Sequence, residues 1–177
     1  MEPERDPSVL ASASDEQPST LRQELWIVCR ALMFLVGAGI PMLFVLFGVL
    51  RDVLFREWQG LLFTAMVGLE AALFGLWTAE RIESSRAAGL ASGALGFGVG
   101  RVAFAVMSRQ GSGSDGFEWM PGTIVLIALF HSVACVGLFL RARQSGWKVA
   151  LGTFLTGAIA LASIFYGLAA MLPEYRD

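Results

Sequence analysis

Five long apolar runs, parted by short polar joints, constrain this chain more than any other feature. They cover about 26–50, 60–79, 87–107, 121–140 and 149–172. A helix needs about 20 predominantly apolar residues to cross the hydrocarbon core of a bilayer, so each run is long enough to span. The runs are continuous rather than alternating, which is not the pattern of a membrane β-barrel strand. Joints such as RDVLFREWQ and RARQSGWK force consecutive helices to be antiparallel neighbours. The expected fold is all-α: a polytopic helical membrane protein with about five transmembrane helices.

Composition removes the soluble alternative. Hydrophobic residues are 55% of the chain and charged residues 16%, against about 25% charged in soluble domains. A chain of 177 residues has too little interior to hide that much apolar surface from water, so the lipid bilayer is the first partner expected. The formal net charge is -2 and the basic residues are scattered, so no basic stripe exists to track nucleic acid. Lys148 is the only lysine among many arginines, alanines and glycines, a bias that fits a GC-rich bacterial genome and hence a plasma (inner) membrane.

The opening stretch MEPERDPSVLASASDEQPST is acidic and rich in Pro and Ser, so a disordered tail is expected over 1–23. The bundle should occupy 24–172, followed by a short tail over 173–177. No basic segment leads directly into an apolar one, so the first helix is expected to be an uncleaved anchor rather than a signal peptide. The third run, AAGLASGALGFGVGRVAFAVM, is weakly hydrophobic and contains Arg101; without it the spans would number four and the C-terminus would change sides.

Counting basic residues gives the orientation. With five spans, Arg5, Arg22, Arg81, Arg86, Arg141, Arg143 and Lys148 share the N-terminal side, against Arg51, Arg56, Arg109 and Arg176 opposite. Seven against four predicts a cytoplasmic N-terminus. Trp26, Trp58, Trp77, Trp119 and Trp147 fall at run ends and Tyr175 follows the last run, where amphipathic rings favour the interface. The longest joint, SRQGSGSDGFEWMPG, has a flexible-linker half and reads as a connection, with a binding loop as the alternative.

Two sets of residues are candidates for function. Small residues recur at helical spacing: Ala88, Ser92, Gly96 and Gly100 in run three, with Gly89 and Gly93 on the adjacent row, and Gly152, Thr156 and Ala160 in run five. Such rows let helix backbones approach closely, either within one bundle or as a docking face for another subunit or a second copy. The other set is polar. Glu70 and His131 stand at the middles of runs two and four, and Arg101 about four residues outward of the middle of run three, roughly 6 Å by helix rise. A charge near the bilayer centre costs about 2.5–3.5 kcal/mol on insertion scales, so Glu70 and Arg101 are expected to pair, with His131 joining by a hydrogen bond. The alternative has Arg101 snorkelling outward and Glu70 left alone.

Pro41 in VGAGIPMLFV should kink the first helix. Cys29 and Cys135 form no CxxC pair and read as two small buried thiols, with a disulfide or a lipidated Cys29 as the alternatives. Catalytic motifs GxSxG, HExxH and GxxxxGK[ST] are absent, and one histidine cannot supply two axial haem ligands. No metal site is expected; His131 could supply one axial ligand to a haem or chlorin, and the cofactor is left unknown. The expected role is a non-catalytic accessory or structural subunit of a larger membrane complex, partnered by other subunits or itself. The alternative is a small ion, proton or solute transporter or channel built on Glu70, Arg101 and His131.

Overall fold

A computed structural model describes residues 17–109 and 120–171, with side chains over 20–58, 60–108 and 122–171. Among them are six α-helices: α1 Gln17–Phe34, α2 Ile40–Phe55, α3 Trp58–Thr78, α4 Ser85–Arg109, α5 Met120–Ala142 and α6 Trp147–Met171. A π-helical turn, Leu35–Gly39, joins α1 to α2, and a 3₁₀ turn, Arg143–Ser145, precedes α6. No strand occurs among the described residues. Five stretches are long and apolar enough to cross a membrane: Thr20–Phe55, Gly60–Thr78, Ser85–Ser108, Gly122–Ser145 and Trp147–Met171. The weakly hydrophobic third run qualifies with the others.

Helix α1 begins at Gln17, so residues 17–23, assigned above to the tail, are helical. Pro18 falls in its first turn, where a missing N–H costs nothing. The tail before Gln17, the Gly-Ser joint over 110–119 with Trp119, and the C-terminal tail with Tyr175 lie outside the described residues.

The chain divides into two units, Met1–Leu32 and Met33–Asp177. In the first, the side chains from Thr20 to Cys29 are exposed. Cys29 is therefore not the buried thiol expected from the sequence: it sits on an unburied helix face, where an apolar neighbourhood in sequence supplies no cover. Cys135 in the second unit is partly buried.

The second unit opens on the π turn. Pro41 lacks an N–H, and in a regular helix its ring would crowd the carbonyl of residue 37. The chain widens just before it: the Ile40 N–H donates to the Leu35 carbonyl, five residues back. The expected proline kink is thus resolved as a π turn over the glycine-containing segment LVGAG.

Helices α2 and α3 form an antiparallel hairpin. Arg56 turns the chain with a left-handed φ of 57°, and the Glu57 N–H donates to the Asp52 carbonyl at 2.9 Å. Glycines on one helix receive larger side chains of the other. A Cβ at Gly37 would stand 2.5 Å from the Phe74 ring, one at Gly48 2.9 Å from Thr64 Oγ1, and one at Gly68 3.3 Å from Val45. Advancing along α2 means retreating along α3, as the antiparallel pairing requires.

Helices α4, α5 and α6 form a tighter trio. Ser92 Oγ donates to the Cys135 carbonyl at 2.8 Å, and Cys135 Sγ donates back to the Ser92 carbonyl at 3.3 Å, a reciprocal bridge between α4 and α5. Helices α4 and α6 run parallel and touch backbone to backbone. A Cβ on Gly93 would stand 2.8 Å from the Ala158 nitrogen and 2.9 Å from the Gly157 Cα, and one on Gly157 would stand 2.8 Å from the Leu90 carbonyl oxygen. Phe74, Leu95, Ala134 and Leu138 are fully buried at the centre of the unit. Packing is dense within the hairpin and between α4 and each of α5 and α6, and sparse along the seam between hairpin and trio. The candidate site lies in that seam.

Candidate functional site

Glu70 stands in the middle of α3 and is 5% exposed. Its carboxylate Oε1 accepts a hydrogen bond from Arg101 Nη2 of α4, and the two form an ion pair across the seam. The expected pairing is present and the snorkelling alternative is not: the Arg101 side chain is 17% exposed. Gly98, one turn before Arg101, permits the contact, because a Cβ there would collide with the Glu70 carboxyl group.

Aromatic rings close round the guanidinium. Its Cζ is 5.8 Å from the centroid of Phe63, 5.3 Å from Phe97 and 5.6 Å from Phe165, contributed by α3, α4 and α6. Nε and Nη1 are buried with no hydrogen-bond acceptor among the described residues. Ring faces carry partial negative charge and attract a guanidinium, which offsets part of the cost of leaving those two N–H groups without an oxygen.

His131 departs from expectation. It is 7% exposed on α5, but its Nδ1 donates to the Ile127 carbonyl one turn back, at 2.8 Å. A carbonyl can only accept, so that bond places a proton on Nδ1, and in the neutral ring Nε2 is then an acceptor. No hydrogen bond joins His131 to Glu70 or Arg101 among the described residues. Equal depth along three helices does not bring three side chains together, and the nearby carbonyl of its own helix satisfies the ring first. The imidazole instead packs against Phe74, with centroids 5.0 Å apart.

The three polar residues still share one wall. A cavity of about 180 Å³ lies in the seam, bounded by Pro41 of α2, Phe63, Val67 and Glu70 of α3, Arg101 and Val102 of α4, and Ile124 and His131 of α5. Apart from Glu70, Arg101 and His131, every residue lining it is apolar. No group of three or more His, Cys, Asp or Glu side chains able to hold a metal ion occurs among the described residues.

The small-residue rows divide between two roles. Ala88 and Ser92 are fully buried, and a Cβ on Gly96 would stand 3.0 Å from Phe154. These three pack inside the trio and are unavailable to an outside partner. Gly100 and Gly152 would meet nothing within 4 Å, and Thr156 and Ala160 are exposed. On α6 the inward row is Ala150, Thr153 and Gly157, one residue over from Gly152, Thr156 and Ala160, and Gly89 and Gly93 face it. Several i, i+4 rows of small residues run along α6, and spacing alone does not tell which one turns inward.

Sequence reasoning missed a second buried carboxylate. Asp52 at the end of α2 is 0% exposed. It accepts from Arg51 Nε at 2.8 Å, Arg51 Nη2 at 2.7 Å and Thr64 Oγ1 at 3.2 Å. A Cβ on Gly60 would stand 2.5 Å from its Oδ2. In the joint RDVLFREWQ it looks like any solvated charge. The signal lies across the hairpin, in Gly60 and Thr64 four residues apart on the facing helix.

No protein-family model, curated protein or solved structure matches this chain.

Proposed function

We propose that the chain is a small multi-pass protein of a bacterial plasma membrane, and that it acts as a non-catalytic accessory or structural subunit of a larger membrane assembly. The observation that carries this reading is the outward row on α6. Gly152, Thr156 and Ala160 are exposed although the same helix is already packed through Thr153 and Gly157. A row of small residues lets a second helix approach closely in lipid, where packing rather than hydrophobic burial drives association. The basic residues support a cytoplasmic N-terminus.

The test is purification of the tagged full chain from its native membrane in mild detergent, followed by mass spectrometry. A stoichiometric partner, released by the triple change Gly152→Leu, Thr156→Leu and Ala160→Leu, is the expected result. A lone species, or a partner retained by that variant, contradicts the reading.

One observation favours a second reading, a small transporter or channel: the charged pair and the histidine border a cavity in the seam of the bundle. In that case Glu70→Gln abolishes flux in reconstituted liposomes while the protein stays folded. Unchanged flux removes this reading.

A further inference from the structure

We propose that the seam cavity is a binding site for a lipid-soluble, ring-sized molecule carrying a hydroxyl group, of the phenol class. Size comes first. A cavity of about 150 Å³ lined by aliphatic and aromatic side chains is large enough for benzene, and this one holds about 180 Å³, room for one substituted ring. Its wall is otherwise apolar, with Val67, Val102 and Ile124 around the space, so it suits an apolar body rather than a column of water, which needs several polar partners.

The polar wall sets the chemistry of the substituent. Most of the Arg101 hydrogens are withdrawn: Nη2 gives one of its two to Glu70, and Nε and Nη1 are buried beside three ring faces. The other polar atoms of the wall are acceptors. Glu70 Oε2 makes no hydrogen bond among the described residues, and His131 Nε2 is the acceptor nitrogen left by the bond from Nδ1 to Ile127. A wall of two acceptors selects a guest that donates. An ether or ketone of the same shape would place its oxygen lone pairs against these two acceptors and gain nothing from them.

Access follows from the rim. Phe63 and Ala105 line the cavity and are also exposed on the outside of the bundle. Both lie within stretches long enough to span a membrane. The opening therefore faces sideways, which on the membrane reading proposed above is into the hydrocarbon, and a guest arrives by partitioning through lipid.

Fluorine NMR of the purified full chain in detergent, titrated with 4-fluorophenol and with 4-fluoroanisole, tests this. Replacing the hydroxyl by a methyl ether keeps the ring and removes the donor. Saturable binding of the phenol, about tenfold or more tighter than the ether, is expected from one hydrogen bond to a charged acceptor. Ala128→Phe, which fills the cavity from α5, should abolish it. Equal affinity for the two probes overturns the assignment of Glu70 and His131 as the recognising acceptors. Binding no greater than partition into detergent, or binding that survives Ala128→Phe in a folded protein, overturns the site. The comparison of probes on the parent protein stands even if that variant does not fold. Because the assay uses the isolated chain, failure to find a partner subunit leaves it untouched. Recovery of the chain in the soluble fraction would instead overturn the membrane reading on which the sideways route rests.

Discussion

The trio of α4, α5 and α6 and the seam beside it hold helices together in opposite ways. In the trio, Gly89, Gly93 and Gly157 remove side chains until two backbones touch, and the Ser92–Cys135 bridge adds a reciprocal pair of hydrogen bonds. Where α4 and α6 touch, no room is left for a Cβ. Along the seam the hairpin of α2 and α3 meets the trio through a few large contacts. The Trp77 ring enters the gap at Gly137, where a Cβ would stand 2.7 Å from it, and Glu70 pairs with Arg101. The cavity opens beside the Glu70–Arg101 pair, on the side away from Trp77. Close backbone contact gives rigidity without chemistry. A buried ion pair holds its partners only while both members are present, because a lone buried charge is costly, and it leaves polar groups and room for a guest.

That contrast can be broken one side at a time. Arg101→Leu leaves Glu70 buried without its partner, and a loss of about 3–5 kcal/mol is expected, read from denaturant unfolding of the detergent-solubilised protein. Gly98→Ala should act on the same pair indirectly, since a methyl there displaces the Glu70 carboxyl group. Loss of a hydrogen bond to a charged group predicts about 1.5–3 kcal/mol in the same assay. On the trio side, Gly93→Val pushes a branched side chain against the Phe154 carbonyl and the Ala158 nitrogen. Backbone cannot move aside cheaply, and overpacking of this kind costs about 1–3 kcal/mol. Gly152→Leu should be nearly silent in the isolated protein, under about 0.5 kcal/mol, because nothing lies within 4 Å of it. If Gly93→Val and Gly152→Leu cost the same, the assignment of inward and outward rows on α6 is wrong.

Much of this was legible in the sequence, for identifiable reasons. Spanning length and continuous hydrophobicity are properties of single runs, so the five long apolar helices could be read without any tertiary information. Glu70 and Arg101 could be matched because each is expensive alone in an apolar run and few partners exist. His131 could not be placed by that logic: a neutral ring has the cheaper option of its own helix's carbonyl at Ile127, and it took it. The inward row of α6 could not be told from the outward one, because Thr153 and Gly157 obey the same spacing as Gly152 and Thr156. Asp52 was invisible, since its burial comes from Gly60 and Thr64 on a facing helix rather than from its own neighbours. The proline signal was legible at Pro41 but its outcome was not: the helix absorbed it by widening over Leu35–Gly39.

The most direct test of the account is a double-mutant cycle on the seam: Glu70→Leu, Arg101→Leu and the two together, each compared with the parent by unfolding in the same detergent. If the ion pair joins the hairpin to the trio, each single change is costly and the double change costs less than either, because it removes both charges and leaves neither one stranded. Costs that simply add would mean that the two residues do not act as a pair, and the seam as described here would be wrong.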